Sequence, residues 1–409
     1  MNALGEKIKA RRKQLGLTLK QLAGNDFSYS LLSQIENNKA NPSMDTLQKL
    51  AQKLDMPISE LLNNQSYIDY KSLLKKCEKL FVMDYEWDLD RYEQIKTQIE
   101  EVLEDLTFQQ YEEVRLVEIY CNCKYQLDNE LPNDLFTQVT HFYEEIGNYN
   151  KFLQAKLFLI GTLFNQQKYE QCQEHLEQLA VFFEENRHLI DTSVLLDYFH
   201  MQALIFSATG DYDHAVQSLE YGISLAKQHS LYKKHVRYLQ LSCFVYSQLH
   251  DEKKVFETLT KFKYYTEFSE NLYEIGFYDY ANFFVQNRFS KHSITESLVL
   301  YIDDAKKLSN YTISPIFTQE LAYSYWKTND YVKVIETLEH YSIPNHITHP
   351  LDVAGCLEIL AIRAYCYNEI GKREQAIEEI IDTYQRIKHF PNSTFKHSIE
   401  HIYKKLLLL

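Results

Sequence analysis

Apolar residues recur every three or four positions along most of this chain of 409 residues, and this spacing predicts a protein built of α-helices. The first predicted helix runs from Leu4 to Leu15, where Leu4, Ile8 and Leu15 form the apolar stripe, and Gly16 ends it. A short helix with the sequence LKQLA follows, and Thr18 is suited to be its N-cap. The chain therefore begins with short amphipathic helices joined by tight turns.

The third predicted helix, YSLLSQIE, follows the candidate N-cap Ser28 and has two different faces. Its inward face is predicted to consist of Leu31, Leu32 and Ile35. Its outward face carries the polar residues Tyr29, Ser30, Ser33, Gln34 and Asn37. Hydroxyl and amide side chains on an exposed helix are suited to pairing with base edges in the major groove, whereas lysine side chains bind phosphates without sequence choice. The pattern favours a helix that reads DNA.

Two more helices complete the predicted N-terminal domain. Pro42 and Ser43 begin the fourth and Pro57 and Ser59 begin the fifth. The buried residues of the fourth helix are predicted to be Leu47, Leu50, Ala51 and Leu54. Residues 1–65 hold nine Lys or Arg and six Asp or Glu, whereas the remaining residues hold 34 and 51. A polyanion such as DNA is therefore attracted by the first part of the chain and repelled by the rest.

The stretch from Gly5 to Leu62 resembles the Cro/cI (XRE) family of helix-turn-helix DNA-binding domains. The resemblance rests on Arg12 and Glu36, which stand at the family's buried ion-pair positions, and on the segment SQIENNKANPSMDTLQKLAQKL. It implies a recognition helix at about residues 28–36 that contacts bases. The implied DNA-binding residues are Tyr29, Ser30, Ser33 and Gln34 on that helix, and Thr18, Asn37, Lys39 and Asn41 at the phosphates. The alternative is a five-helix interaction domain that has lost DNA binding, in which Arg12 and Glu36 form only a structural pair.

Residues 66–409 contain a motif that recurs with a period of about 40 residues. In each unit a helix ends, a polar pair follows, and a small or apolar residue comes three positions after the second member of the pair. The motif occurs as Lys168-Tyr169 with Cys172, Asp211-Tyr212 with Ala215, Asp251-Glu252 with Val255, Asp330-Tyr331 with Val334, and Lys372-Arg373 with Ala376. The last residue of each unit is expected between two packed helices, where only a modest side-chain volume fits.

These units resemble tetratricopeptide (TPR) repeats whose helices are a few residues longer than usual. The resemblance implies an all-α chain in three parts: a five-helix domain over residues 1–65, a right-handed TPR-like α-solenoid of about eight helical hairpins over 66–391, and a capping helix over 392–409. The first helix of each hairpin lines the concave face of such a solenoid, and this face receives an extended peptide or a helix of a partner.

A helix-turn-helix domain joined to a TPR array resembles the RNPP group of peptide-responsive, quorum-sensing regulators of Gram-positive bacteria. The resemblance implies a homodimeric transcriptional regulator that binds double-stranded DNA and takes a short signalling peptide on the concave face. Amide side chains hold such a peptide because they both donate to its carbonyls and accept from its amides. The candidate peptide-binding residues on first helices are Asn165, Gln202, Gln240, Tyr246, Asn282, Gln286 and Arg363. The alternatives are a TPR scaffold for a protein partner such as a phosphorelay response regulator, and a phage-type repressor without a small ligand.

Signals of other classes of protein are weak. No GxGxxG, GxxxxGK[ST], HExxH or GxSxG string occurs, so we expect neither an enzyme nor a cofactor. Cys121 with Cys123, or the group His340, His346 and His349, lacks the spacing and fixed partners of a metal site, so we expect no metal. Since no run of 18 apolar residues and no secretory signal occurs, we expect a cytoplasmic protein with no membrane partner.

Overall fold

The computed structural model describes residues 4–24, 26–37, 39–40, 42–58, 61, 69–81, 89–307, 315–344 and 347–407. These residues form 21 α-helices and no β-strand, which confirms the predicted all-α fold. The chain divides into two compact units, Met1–Phe142 and Tyr143–Leu409. The domain bounds predicted from the sequence, 1–65, 66–391 and 392–409, stay a prediction.

Side-chain caps fix the start of three of the four helices at the beginning of the first unit. Thr18 and Gln21 form a reciprocal capping box, in which Thr18 Oγ1 accepts from the Gln21 N–H at 3.2 Å. The Ser28 hydroxyl caps the next helix, as predicted, and the Ser43 hydroxyl caps the helix that was predicted to begin at Pro42 and Ser43. The four helices are α1 (Leu4–Gln14), α2 (Leu19–Ala23), α3 (Tyr29–Glu36) and α4 (Met44–Lys53).

An apolar core of their own holds these helices together. Its buried residues are Ile8, Leu22, Ala23, Leu32, Ile35, Leu50, Ala51, Leu54 and Leu61. Two residues that the pattern placed inward are exposed instead: Leu31 by 36% and Leu15 by 39%. Leu15 follows the last residue of α1, and Leu31 stands about 100° around the short helix α3 from Leu32, outside its narrow buried stripe. Of the predicted fifth helix, Ile58 and Leu61 are helical, and Ser59 and Leu62 lie outside the described residues.

Four longer helices follow. They are α5 (Tyr70–Leu80), α6 (Leu89–Glu100), α7 (Tyr111–Asp128) and α8 (Asn133–Glu145). Helix α7 packs against both α5 and α6, and Arg115 on α7 forms an ion pair with Glu78 on α5 at 3.1 Å. Because α7 has neighbours on two sides, apolar residues are buried around most of its circumference.

The second unit consists of helical hairpins in sequence. The first helix of each hairpin also contacts the first helix of the next hairpin. The first helix of the last hairpin contacts α21 (Thr394–Leu407), as in a TPR-like α-solenoid. The hairpins are α9 (Tyr149–Asn165) with α10 (Tyr169–Asn186), α11 (Thr192–Thr209) with α12 (Tyr212–Gln228), α13 (Tyr232–Gln248) with α14 (Glu252–Ser269), α15 (Leu272–Phe289) with α16 (Thr295–Lys307), α17 (Pro315–Lys327) with α18 (Tyr331–Thr337), and α19 (Pro350–Glu369) with α20 (Arg373–Ile387).

The recurring sequence motif marks the turn inside the hairpin. The second helices begin at Tyr169, Tyr212, Glu252, Tyr331 and Arg373, each the second residue of a predicted polar pair. The small residues three positions later are all fully buried, namely Cys172, Ala215, Val255, Val334 and Ala376. Gly210 ends α11 with φ +84°, a left-handed conformation that favours glycine. The predicted role of the motif as a site of close helix packing is therefore confirmed.

Two segments near the C-terminus return to hairpins that lie far earlier in the second unit. In the α18–α19 connection, His349 Nε2 lies 3.1 Å from the Ser207 hydroxyl, and its ring packs 5.7 Å from the Phe164 ring. At the start of α21, the Thr394 N–H and hydroxyl both donate to Gln248 Oε1 at 2.9 Å. These contacts join residues more than 140 positions apart, so they fix how the hairpins of this unit curve.

Candidate nucleic-acid interface and first-helix surface

The predicted recognition helix α3 presents a polar face to solvent. Tyr29 is 60% exposed, and Ser30 and Gln34 are exposed beside it on successive turns. Ser33 is only half-buried, so its hydroxyl stands at the edge of this face. The face holds hydroxyl and amide groups at the spacing of one side of a helix, which is the chemistry needed to pair with base edges.

A buried ion pair fixes α3 against α1. Arg12 Nε and Nη2 donate to the two carboxylate oxygens of Glu36 at 2.6 and 2.8 Å, and Arg12 Nη1 donates to the Leu17 carbonyl at 2.8 Å. The Glu36 side chain is only 3% exposed. This bidentate hydrogen bond raises the pKa of Arg12. The ion pair expected from these two positions is confirmed, and it orients the polar face of α3 from behind.

Of the residues predicted to meet phosphates, Thr18 precedes α2, and Asn37 and Lys39 follow the end of α3. Thr18, Asn37 and Lys39 are exposed, and Asn41 lies outside the described residues. Thr18 is occupied by its capping box, and the Asn37 side-chain amide donates to the Ser33 carbonyl at 2.8 Å. The Thr18 and Asn37 side chains are thus positioned by local hydrogen bonds, at the start of α2 and the end of α3.

Five of the candidate peptide-binding residues carry side-chain amides on first helices. Asn165 on α9 is exposed, and the other four are half-buried on α11, α13 and α15. They are Gln202, Gln240, Asn282 and Gln286. The Gln202 amide donates to the Tyr198 hydroxyl at 3.0 Å within the same helix. These residues therefore lie on the first helices of four consecutive hairpins, α9, α11, α13 and α15.

The other two candidates contact second helices. Tyr246 on α13 is 5% exposed and donates to Glu220 Oε1 on α12 at 3.3 Å. Arg363 on α19 donates from Nε to both carboxylate oxygens of Glu379 on α20, at 2.9 and 3.2 Å. Arg363 Nη1 also donates to the Leu338 carbonyl at the end of α18. Their functional groups are thus turned toward neighbouring helices of the solenoid.

A buried charged cluster joins three consecutive first helices, and the sequence analysis did not identify it. Arg288 on α15 forms ion pairs with Glu320 on α17 at 2.9 Å and with Glu358 on α19 at 3.4 Å. Its guanidinium also lies 3.9 Å from the centre of the Phe284 ring and 4.4 Å from that of Tyr323. Burial raises the pKa of Glu358, although Arg288 acts in the opposite direction. No local motif marks these residues, because their spacing depends on how the hairpins stack.

The described residues contain no group of three or more His, Cys, Asp or Glu that could hold a metal ion. Cys121 and Cys123 are buried thiols, and burial raises the pKa of each to about 12. Of the predicted histidine group, His346 lies outside the described residues, and His349 Nδ1 accepts from the Leu351 N–H at the start of α19. Within the described part of the chain, no helix is both long enough and apolar enough to cross a bilayer.

The buried ion pair, the capped helices α2 and α3 and the polar outer face define a helix-turn-helix DNA-binding domain. A family profile described as "Helix-turn-helix" matches residues 8–61. The HTH-type transcriptional regulator SinR of Bacillus licheniformis is 34% identical over 87 residues, which are 21% of this chain and 70% of that protein. The chain therefore belongs to the helix-turn-helix transcriptional regulators and, as expected, to a family of DNA-binding regulators rather than of enzymes.

Two solved structures are similar over about two thirds of this chain. One is PlcR of Bacillus thuringiensis in complex with the peptide PapR7 and DNA, which is 19% identical, with 66% of this chain and 96% of that chain covered and a TM-score of 0.34. The other is ComR from S. thermophilus in complex with DNA and its signalling peptide ComS, which is 18% identical, with 68% and 97% covered and a TM-score of 0.32.

Proposed function

We propose that this regulator is a cytoplasmic homodimer that reads its operator through α3. Its repeat region binds a short signalling peptide, and the peptide changes the arrangement of the subunits and the binding to DNA. The observation that carries the DNA-reading part is the exposed polar face of α3, held from behind by the buried pair of Arg12 and Glu36. Two such helices, related by a two-fold axis, engage half-sites about one helical turn, or roughly 34 Å, apart.

The assignment of base and phosphate contacts is tested by two substitutions in the full chain. Gln34→Ala should leave folding intact and reduce the preference for the operator over scrambled DNA, since one good bidentate base contact gives about 1–3 kcal/mol of discrimination. Lys39→Ala should weaken binding to both DNAs alike and lower the salt dependence by about one ion. Gln52→Ala, an exposed glutamine on α4, is the matched control. Equal binding of operator and scrambled DNA by the wild-type protein would refute the role of α3.

The peptide-binding part rests on the half-buried and exposed amides of successive first helices. The second unit also has Asp352 on α19, which is exposed. This carboxyl would favour a peptide with a basic group. A ligand that binds only the folded protein stabilises it by about 2.7 kcal/mol at a concentration of 100 times Kd.

Thermal unfolding with peptides purified from the host's culture supernatant tests this part. We expect a peptide-dependent increase in Tm and a matching change in genomic footprints. Asn282→Ala should reduce the increase, whereas Gln217→Ala, on the exposed face of the second helix α12, should not. An unchanged Tm together with unchanged footprints would contradict peptide sensing and would leave the DNA-reading assignment in place.

A second candidate function, a scaffold for a folded protein, is favoured by one apolar surface. Phe268 near the end of α14 is 82% exposed, and Leu272 at the start of α15 is 85% exposed. Tyr264 and Tyr273 beside them in the chain are 65% and 53% exposed. Exposed apolar residues that occur together are typical of protein interfaces. Retention of a phosphorelay response regulator by the wild-type chain, but not by Phe268→Glu, would favour this candidate.

A further inference from the structure

A cavity of about 310 Å³ opens in the second unit beside the end of α17, the start of α18, α19 and α21. Trp326, Tyr331, Tyr365 and Ile402 supply its apolar lining, and Lys327 and Lys405 supply ammonium groups. Its volume is at the lower end of the range for small-ligand sites. None of the seven candidate peptide-binding residues lines this cavity, so it is a different site.

The aromatic walls of the cavity are held in place by hydrogen bonds. The Tyr331 hydroxyl donates to Asn329 Oδ1 at 2.9 Å, and the Tyr365 hydroxyl accepts from Lys405 Nζ at 3.1 Å. The rings of Tyr331 and Tyr365 meet edge to face with centroids 6.0 Å apart. Since both hydroxyls have protein partners, the rings offer a ligand mainly their apolar surfaces.

The two lysines bring positive charge to this apolar space. Lys327 Nζ donates to the carbonyls of Asn287 at 2.6 Å and Ser290 at 3.0 Å, which fixes the ammonium and leaves one of its three hydrogens. Lys405 Nζ donates to one protein oxygen and lies 4.6 Å from the centre of the Tyr365 ring. Both lysines are exposed. Glu369 is close enough to Lys405 to act on it electrostatically.

We propose that this cavity binds an apolar group that carries a carboxylate, such as the C-terminal residue of a peptide that ends in a branched or aromatic side chain. The side chain would pack against Trp326, Tyr331 and Tyr365, and the carboxylate would accept hydrogen bonds from the two ammonium groups. A free aromatic or branched carboxylic acid has the same chemistry, and the experiment below distinguishes the two sources.

Trp326 allows binding to be observed directly, because it is one of only two tryptophans in the sequence. We would titrate the full chain carrying Trp87→Phe with N-acetyl-L-phenylalanine, its primary amide and 3-phenylpropionate, and follow the fluorescence of Trp326. Saturable binding of N-acetyl-L-phenylalanine, at least tenfold tighter than of the amide, is the expected result. A tighter response to N-acetyl-L-phenylalanine than to 3-phenylpropionate indicates a peptide terminus, and the reverse order indicates a free acid.

Lys405→Ala should weaken binding of the acid at least tenfold and leave the weak binding of the amide unchanged. Lys404→Ala is the matched control, because Lys404 is also exposed on α21 but does not line the cavity. Tyr365→Phe retains the ring and removes the acceptor that positions Lys405, so it should give an intermediate loss. Equal affinity for acid and amide, or no saturable signal at millimolar concentration from a protein with unchanged circular dichroism, would overturn the proposal. DNA binding is measured separately and does not depend on this result.

Discussion

Removal of the Arg12 guanidinium should open the N-terminal helices while leaving every predicted base contact chemically intact. Arg12→Ala deletes both hydrogen bonds to Glu36 and the bond to the Leu17 carbonyl. The Glu36 carboxylate, 3% exposed, then remains in an apolar core without its partner. Breaking a buried pair in this way costs about 3–5 kcal/mol, because the surviving charge is still desolvated.

This cost is large in comparison with the stability of a small domain. A loss of 1.4 kcal/mol changes an equilibrium constant tenfold, so 3–5 kcal/mol raises the population of the open form by about 10² to 4 × 10³. Native-state stability is commonly about 5–15 kcal/mol, so the variant should be folded only marginally in this region. The double variant Arg12→Met with Glu36→Leu removes both charges and should recover most of the loss.

Amide hydrogen exchange of the full chain, resolved to peptides that cover α1 to α3, measures this effect. Exchange in α3 should accelerate about 10²-fold or more in Arg12→Ala and return close to the wild-type rate in the double variant. Lys49→Ala breaks the exposed pair of Lys49 and Asp45 on α4 and is the control that should show no measurable change. If Arg12→Ala accelerates exchange less than tenfold and still binds operator normally, the pair does not hold α3 in place.

Three further predictions concern the second unit. Gly222→Ala should lower the free energy of unfolding in urea by about 1–3 kcal/mol or more, because a Cβ at this position would lie 2.0 Å from the ring of Tyr238. Gly161→Ala is the control: its Cβ would make only an ordinary 3.8 Å contact, so the change should be neutral or stabilising. Burial lowers the pKa of His235 to about 4, and two nearby lysines act in the same direction. This group therefore contributes stability above pH 6.5 that is lost as the pH falls from 6.5 to 4. His235→Leu should therefore show a shallower loss over this window than the wild type, by about 3 kcal/mol at most, and equal slopes would contradict the assignment. Gln248→Ala should lower the free energy of unfolding by about 1–3 kcal/mol and speed hydrogen exchange at the start of α21, because Thr394 there makes two hydrogen bonds to this side chain. Unchanged exchange would show that the contact is dispensable.

The features that the sequence predicted correctly depend on neighbours within a few positions. N-caps at Thr18 and Ser28 need only the amides of the next turn, and a small residue three positions into a helix, such as Ala215, meets the adjacent helix of the same hairpin. The inward assignment of Leu31 was wrong for a related reason, because a helix of eight residues buries a narrower stripe than the apolar pattern suggests.

The features that the sequence did not predict depend on curvature. Whether a polar residue on a first helix faces a groove or the next helix follows from the angle between hairpins, and residue type alone does not encode this angle. Arg363 was predicted to face a peptide, yet its guanidinium contacts Glu379 on the second helix α20 and the Leu338 carbonyl at the end of α18.

The buried cluster around Arg288 shows how the second unit supplies this missing information. One guanidinium contacts carboxylates on both following first helices, so the cluster is satisfied only when α15, α17 and α19 take one relative arrangement. The contacts of His349 with Ser207 and of Gln248 with Thr394 also restrict how the hairpins of this unit are arranged. A ligand that altered the angle between hairpins would have to break charge-assisted or long-range hydrogen bonds. A buried polar group left without its partner lowers stability by more than the intact hydrogen bond raises it. The second unit should therefore resist gradual bending between its hairpins.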